Sequence, residues 1–111
     1  MVSLKAAVAA VALCGGGQTV LYDFSAEWCG PCRAMAPKVD ALAARGYPVR
    51  KVDIDQHPDL ARRFRVGPIP CFVMVVDGRE VDRQVGMTSL ARLEQMCQKA
   101  RAAGTIPSSE P

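Results

Sequence analysis

Apolar and polar positions change rhythm several times along the chain, and each change marks an element. Thr19 to Ala26, TVLYDFSA, is rich in β-formers and reads as a buried strand. From Pro31 to Arg45 the rhythm turns helical: Met35, Val39 and Leu42 recur on one face, and Gly46 stops the run. Pro37 falls inside that helix and, lacking a backbone donor, predicts a kink. Val49 to Ile54, VRKVDI, predicts a second strand, and Pro58 to Phe64 a short helix with Pro58 suited to its first position. Cys71 to Val76, CFVMVV, predicts a third strand, and Asp77-Gly78 a tight hairpin. The EVDRQV that follows alternates, which puts Val81, Arg83 and Val85 on one face of a fourth strand. Leu90, Leu93, Cys97 and Ala100 lie at helical spacing on a last helix, and residues 104–111, GTIPSSEP, read as a frayed, flexible tail.

Residues 1–17 support two readings. Leu4 to Leu13 is apolar except for Lys5, and Ala10-Val11-Ala12 has the small-x-small look of a cleavage site, a weak signal segment. The competing reading is a helix, with Ser3 as N-cap, an alanine-rich interior and Gly15 as the stop. The helix leaves the chain in the cytoplasm, the leader takes it to an extracytoplasmic compartment. Ten apolar residues are too few to cross a bilayer.

The remaining order, β–α–β–α–β–β–α over residues 18–103, predicts one α/β domain. A strand–helix–strand unit followed by a hairpin gives a mixed four-stranded sheet with helices on both faces. A length of 111 residues, half of them apolar, suits one modest core. The net charge of +3 comes from 14 basic and 11 acidic side chains that are interspersed, so no basic run suggests nucleic acid.

The chemistry lies in Glu27 to Arg33, EWCGPCR. The chain has five cysteines, an odd number that suits a disulfide scaffold poorly. A structural zinc site needs about four ligands, and the single Cys-x-x-Cys and single histidine, His57, do not supply them. A permanent disulfide across two intervening residues closes too short a loop to stabilise much. A redox pair is the reading left. Cys29 and Cys32 fall where the first strand meets the long helix, whose N-terminal N–H groups and partial positive charge stabilise a thiolate. A drop of about one to two units in thiol pKa takes about 1.4–2.8 kcal/mol, within reach of such a terminus. Cys29, at the end of the turn, is expected exposed and attacking. Cys32, one turn further in, is expected buried and resolving.

These residues resemble the thioredoxin family from about Val20 to Leu93. YDFSAEWCGPCRAMAP looks like the family's active-site stretch, KVDIDQHP its second strand, and GPIPCFVMVVDGREVDRQVG its cis-proline loop and terminal hairpin. The resemblance implies a thioredoxin-like fold and a protein-disulfide reductase working through a Cys29/Cys32 mixed disulfide. It binds no cofactor or metal, acts as a monomer on disulfide-bearing proteins, and is re-reduced by a thioredoxin reductase or a membrane reductant. Asp23 is implied as the buried carboxylate that takes the Cys32 proton through water, with Lys51 as its neighbour. Trp28, Gly30, Pro31, Ile69, Pro70 and Gly86 are implied on the substrate-binding surface, with Pro70 as the cis-proline. An apolar setting raises a carboxyl pKa, which suits Asp23 to act as a base near neutrality.

Departures from the family pattern bear on this. Cys71 stands where the family usually has threonine, which makes it either a small buried hydrophobe or a third thiol that tunes the pair. The family's first strand is not evident, and Cys14 has no counterpart. An extracytoplasmic reductase or isomerase module, or a non-catalytic binding module using the same surface, are the alternative functions. Met35, Met74, Met87 and Met96 read as core filler, and His57 as a surface loop residue.

Overall fold

A computed structural model describes residues 18–109, with side chains described as far as Ala102; the helix-or-leader question at residues 1–17 lies outside them. Strand β1 is Thr19–Ser25, helix α1 Gly30–Ala44, β2 Val49–Asp53, α2 Pro58–Arg63, β3 Cys71–Val76, β4 Arg79–Val85 and α3 Leu90–Ser109. The sheet order is β2-β1-β3-β4, with β1 parallel to β2 and antiparallel to β3, and β3 antiparallel to β4. This is the mixed four-stranded sheet expected from the element order.

Strand alternation sorts the core into two layers. Leu21, Phe72 and Met74 point to one side, where Met35, Val39 and Leu42 of α1 and Leu93, Met96, Cys97 and Ala100 of α3 close over them. Phe24, Val52, Val73 and Val75 point to the other, under Phe64 and the half-buried Leu60 and Ala61 of α2. Tyr22, Phe24 and Phe64 meet there as a cluster of tilted rings 5.4–6.1 Å apart. At about 25 cal/mol per Å², each fully buried Leu or Phe contributes about 1.5–3 kcal/mol to holding helices on the sheet.

Turn chemistry fixes the connections. Gly46 takes φ +92° and donates to the Ala43 carbonyl at 2.9 Å, closing α1. Asp77 and Gly78 take φ +52° and +82°, the mirror-image turn that matches strand twist in a hairpin. Helix α1 runs through Pro37 to Ala44.

Two sequence expectations need correction. The alternation read along the fourth strand breaks, because Met74 pairs with Asp82 and Val75 with Glu80, leaving Val81 as the extra residue of a bulge. Val81 and Val85 are exposed while Arg83 is half-buried. The supposed tail from Gly104 is helical as far as Ser109. Arg101-Ala102-Ala103 are strong helix formers, and extending an already nucleated helix is far easier than starting one.

Candidate active site

The chain leaves β1 through a turn in which Cys29 N–H donates to the Ala26 carbonyl at 3.1 Å. Cys29 then caps α1 with extended backbone, and its Sγ accepts the Cys32 N–H at 3.2 Å. Pro31 occupies the first turn, where a missing N–H leaves nothing unsatisfied. One helical turn brings the two sulfurs together. Cys29 and Cys32 are disulfide-bonded, their Cα atoms 5.2 Å apart.

The expected difference in exposure is not found. Cys29 is 5% exposed and Cys32 7%. In the bonded pair the Cys29 sulfur is turned inward, 3.9 Å from the Ile69 carbonyl oxygen, so it does not stand free at the surface. What separates the two sulfurs is the space each borders. Cys29 lines an open groove of about 470 Å³ with Trp28, Gly30, Pro31, Ile54, Gly67, Pro68 and Ile69. Cys32 lines a smaller cavity of about 170 Å³ that also reaches Asp23, Ser25, Lys51 and Asp53.

Asp23 is the buried charged residue of the described core. Burial pushes its carboxyl up to about 6, against the pull of the Lys51 ammonium, while Asp40 raises it further. Parallel pairing puts Asp23 directly beside Lys51 on the neighbouring strand, and the Lys51 Nζ reaches Asp40 at 2.6 Å. A cavity of that volume has room for water, so a proton can pass between Asp23 and Cys32 without direct contact.

The outer wall of the groove is built from loops. Trp28 is 66% exposed, and its Nε1 donates to Asp55 Oδ2 at 2.8 Å. The Ile69–Pro70 bond is cis, and Gly86, at φ +89°, donates to the Pro70 carbonyl at 2.7 Å. Cys71 is fully buried, in the α2-side core with Phe24, Phe64 and Val73 rather than with the thiol pair. Met35, Met74 and Met96 are core residues, but Met87, read as filler, is 54% exposed next to Gly86. His57 is exposed and sits at the N-cap of α2 without a side-chain capping bond. Asp55 and Ile54 lie in the KVDIDQHP stretch, but the sequence reading gave them no place in the site. Nothing in their spacing marks them, and only the turn after β2 brings them to Trp28.

A Cys-x-x-Cys disulfide at the mouth of a groove, with a buried carboxylate behind it, belongs to a recognisable class: the thiol–disulfide oxidoreductases built on a mixed sheet between helices. The family is fixed by comparison with known proteins. The Thioredoxin family model matches residues 6–99, and the chain belongs to the thioredoxin family. It is 43% identical over 82 residues to the thioredoxin of Chlamydia trachomatis, covering 72% of this chain and 80% of that one. It is 41% identical over 85 residues to thioredoxin H2 of Arabidopsis thaliana, covering 75% of this chain and 63% of that one. Among solved structures it resembles the thioredoxin NaTrxh of Nicotiana alata, with TM-score 0.74 and 32% identity over 89% of this chain and 87% of that one. The Fasciola hepatica thioredoxin gives TM-score 0.71 and 37% identity over 86% and 93%. The chain is thus a thiol–disulfide oxidoreductase, a protein-disulfide reductase.

Proposed function

We propose that Cys29 is the attacking thiol and Cys32 the resolving thiol, with Asp23 as the proton acceptor for Cys32. The Cys29 thiolate attacks one sulfur of a substrate disulfide; that S–S bond breaks, a mixed disulfide forms, and the other substrate sulfur leaves as a thiolate that takes a proton. Cys32 passes its proton towards Asp23 and attacks Cys29 Sγ. The mixed disulfide breaks, the second substrate thiol is released, and the pair is left oxidised by two electrons.

The observation that carries this reading is the division of the two sulfurs between spaces. Cys29 borders the groove where a substrate can lie; Cys32 borders the cavity that holds Asp23. Lys51 lowers the carboxyl pKa against burial and so keeps Asp23 usable as a base near neutrality. Trp28, Gly30, Pro31, Ile69, Pro70 and Gly86 form the docking surface, on which the loop before Pro70 pairs with an extended substrate segment. Electrons come from a flavin-dependent thioredoxin reductase. The chain works as a monomer.

Insulin reduction tests the assignment. With dithiothreitol as donor the protein should accelerate precipitation of the insulin B chain, and Cys29→Ser should abolish the effect. Cys32→Ser should instead accumulate a mixed disulfide on Cys29, visible by mass spectrometry. Accumulation on Cys32 in the Cys29→Ser variant would reverse the roles. Replacing dithiothreitol by NADPH and thioredoxin reductase tests the donor.

A further inference from the structure

Residues 65–70 form the loop that carries Gly67, Pro68 and Ile69 of the groove wall and ends at the cis bond to Pro70. It begins under strain: Arg65 takes φ +52°, a region that side chains other than glycine rarely occupy. Both ends of this loop meet one side chain. Arg83, on edge strand β4, donates through Nη2 to the carbonyl of Phe64, the C-cap residue of α2. Through Nη1 it reaches Sγ of Cys71, the first residue of β3, at 3.8 Å. Glu80 then fixes the guanidinium from behind, accepting from Nε at 2.7 Å and from Nη2 at 2.8 Å.

The bulge at Val81 is what makes the arrangement possible. Residues three apart on a regular strand face opposite sides of a sheet. Here Glu80 pairs with Val75 and Arg83 with Val73, two residues of the same core layer, because Val81 is the extra residue between them. Both side chains therefore turn towards α2. A planar fork held by a carboxylate is a better clamp than a flexible ammonium, because its N–H directions are set before it meets its acceptors.

We propose that Arg83 is a positioning residue for substrate binding: it holds the Phe64 carbonyl and the Cys71 thiol together and so fixes the loop between them for the substrate segment. The proposal rests on the docking surface assigned above. It also gives Cys71 a place in the site without redox chemistry, as the acceptor at one end of the clamp. Arg83 acts through the loop and touches neither reacting sulfur.

The test compares a protein disulfide, insulin, with a small aromatic disulfide that does not need the groove wall. In folded Arg83→Met the KM for insulin should rise about five-fold with kcat little changed, while the rate with the small disulfide stays at the wild-type value. Arg83→Lys should recover part of the loss, and Glu80→Gln should move KM in the same direction by less. Amide hydrogen exchange should quicken at Val66, whose N–H donates to the Ala61 carbonyl at 2.9 Å, in Arg83→Lys and Glu80→Gln as well as in Arg83→Met, so the readout survives if Arg83→Met does not fold. An unchanged insulin KM, equal loss with both disulfides, or unchanged exchange at Val66 would each overturn the proposal. If wild-type protein reduces neither disulfide, the functional reading fails instead, and the exchange measurement still decides whether the clamp exists.

Discussion

The N–H of Cys32 points at the Sγ of Cys29, 3.2 Å away, so the helix that carries one thiol donates a hydrogen bond to the other. The bond is made by the N-cap position, and it favours negative charge on Cys29 alone. In the reduced protein Cys29 should be the thiol alkylated by iodoacetamide near neutral pH, with Cys32 labelled far more slowly. Peptide mapping after a short pulse reads this directly; equal labelling of the two would mean that the helix terminus does not distinguish them.

Asp23 makes a second prediction, this time about stability. Its carboxyl is raised from 3.8 to about 6 by burial, so the folded protein holds the proton more tightly than the unfolded chain does. The sign follows. Below pH ~4 the group is neutral in both states and is not a liability; as pH rises through ~6 the folded state must carry a buried charge and loses stability. The loss is on the order of 2–3 kcal/mol by neutral pH. Asp23→Asn should therefore raise the melting temperature at pH 7.5 by several degrees and have little effect at pH 4. The same variant should slow release of the mixed disulfide at pH 7. Faster release, or a lowered melting temperature at pH 7.5, would contradict the buried-base account.

Burial is the largest influence on where Asp23 titrates, and two surface charges adjust it. The Lys51 ammonium pulls its pKa down and the Asp40 carboxylate pushes it up. Lys51→Met should move the midpoint of the resolving step to higher pH, and Asp40→Asn to lower pH. The ion pair between them is largely exposed, and such pairs contribute about 0–1 kcal/mol, so loss of the pair itself should alter stability little. Stopped-flow decay of the mixed disulfide across pH 5–8 would show both shifts; a common direction would mean that the charges do not act through Asp23.

Much of this was legible in the chain because it depends on local pattern. Met35, Val39 and Leu42 announce the buried face of α1, and Asp77-Gly78 announces the hairpin, since both signals are written within a few residues. The thiol pair is legible for the same reason: Cys29 and Cys32 need only one helical turn to meet. Contacts made by tertiary structure were not legible. Asp55 finds Trp28 because β2 ends beside the turn before α1, a contact that no local pattern announces. The bulge at Val81 was missed because a single extra residue in an alternating strand leaves its composition unchanged. The exposure of Cys29 was misjudged because position in a turn does not fix which way a bonded sulfur faces.

The last prediction concerns the two free thiols of the described residues, Cys71 and Cys97. Cys71 is enclosed by the α2-side core and Cys97 by the α1–α3 layer, with 0% and 1% exposure. Burial pushes the Cys71 thiol up, although Arg83 opposes it, and pushes Cys97 up to about 11. A thiol attacks only as its thiolate and only where a reagent can reach it, and neither condition holds for these two. The reduced, folded protein should therefore leave Cys71 and Cys97 unlabelled by maleimide at pH 7.5, and both should label once the chain is unfolded in guanidinium. Mild oxidation should give Cys29–Cys32 as the internal disulfide. A linkage from Cys71 to either active-site cysteine as a major product would require the start of β3 to leave the core. It would make Cys71 a third working thiol rather than a buried one.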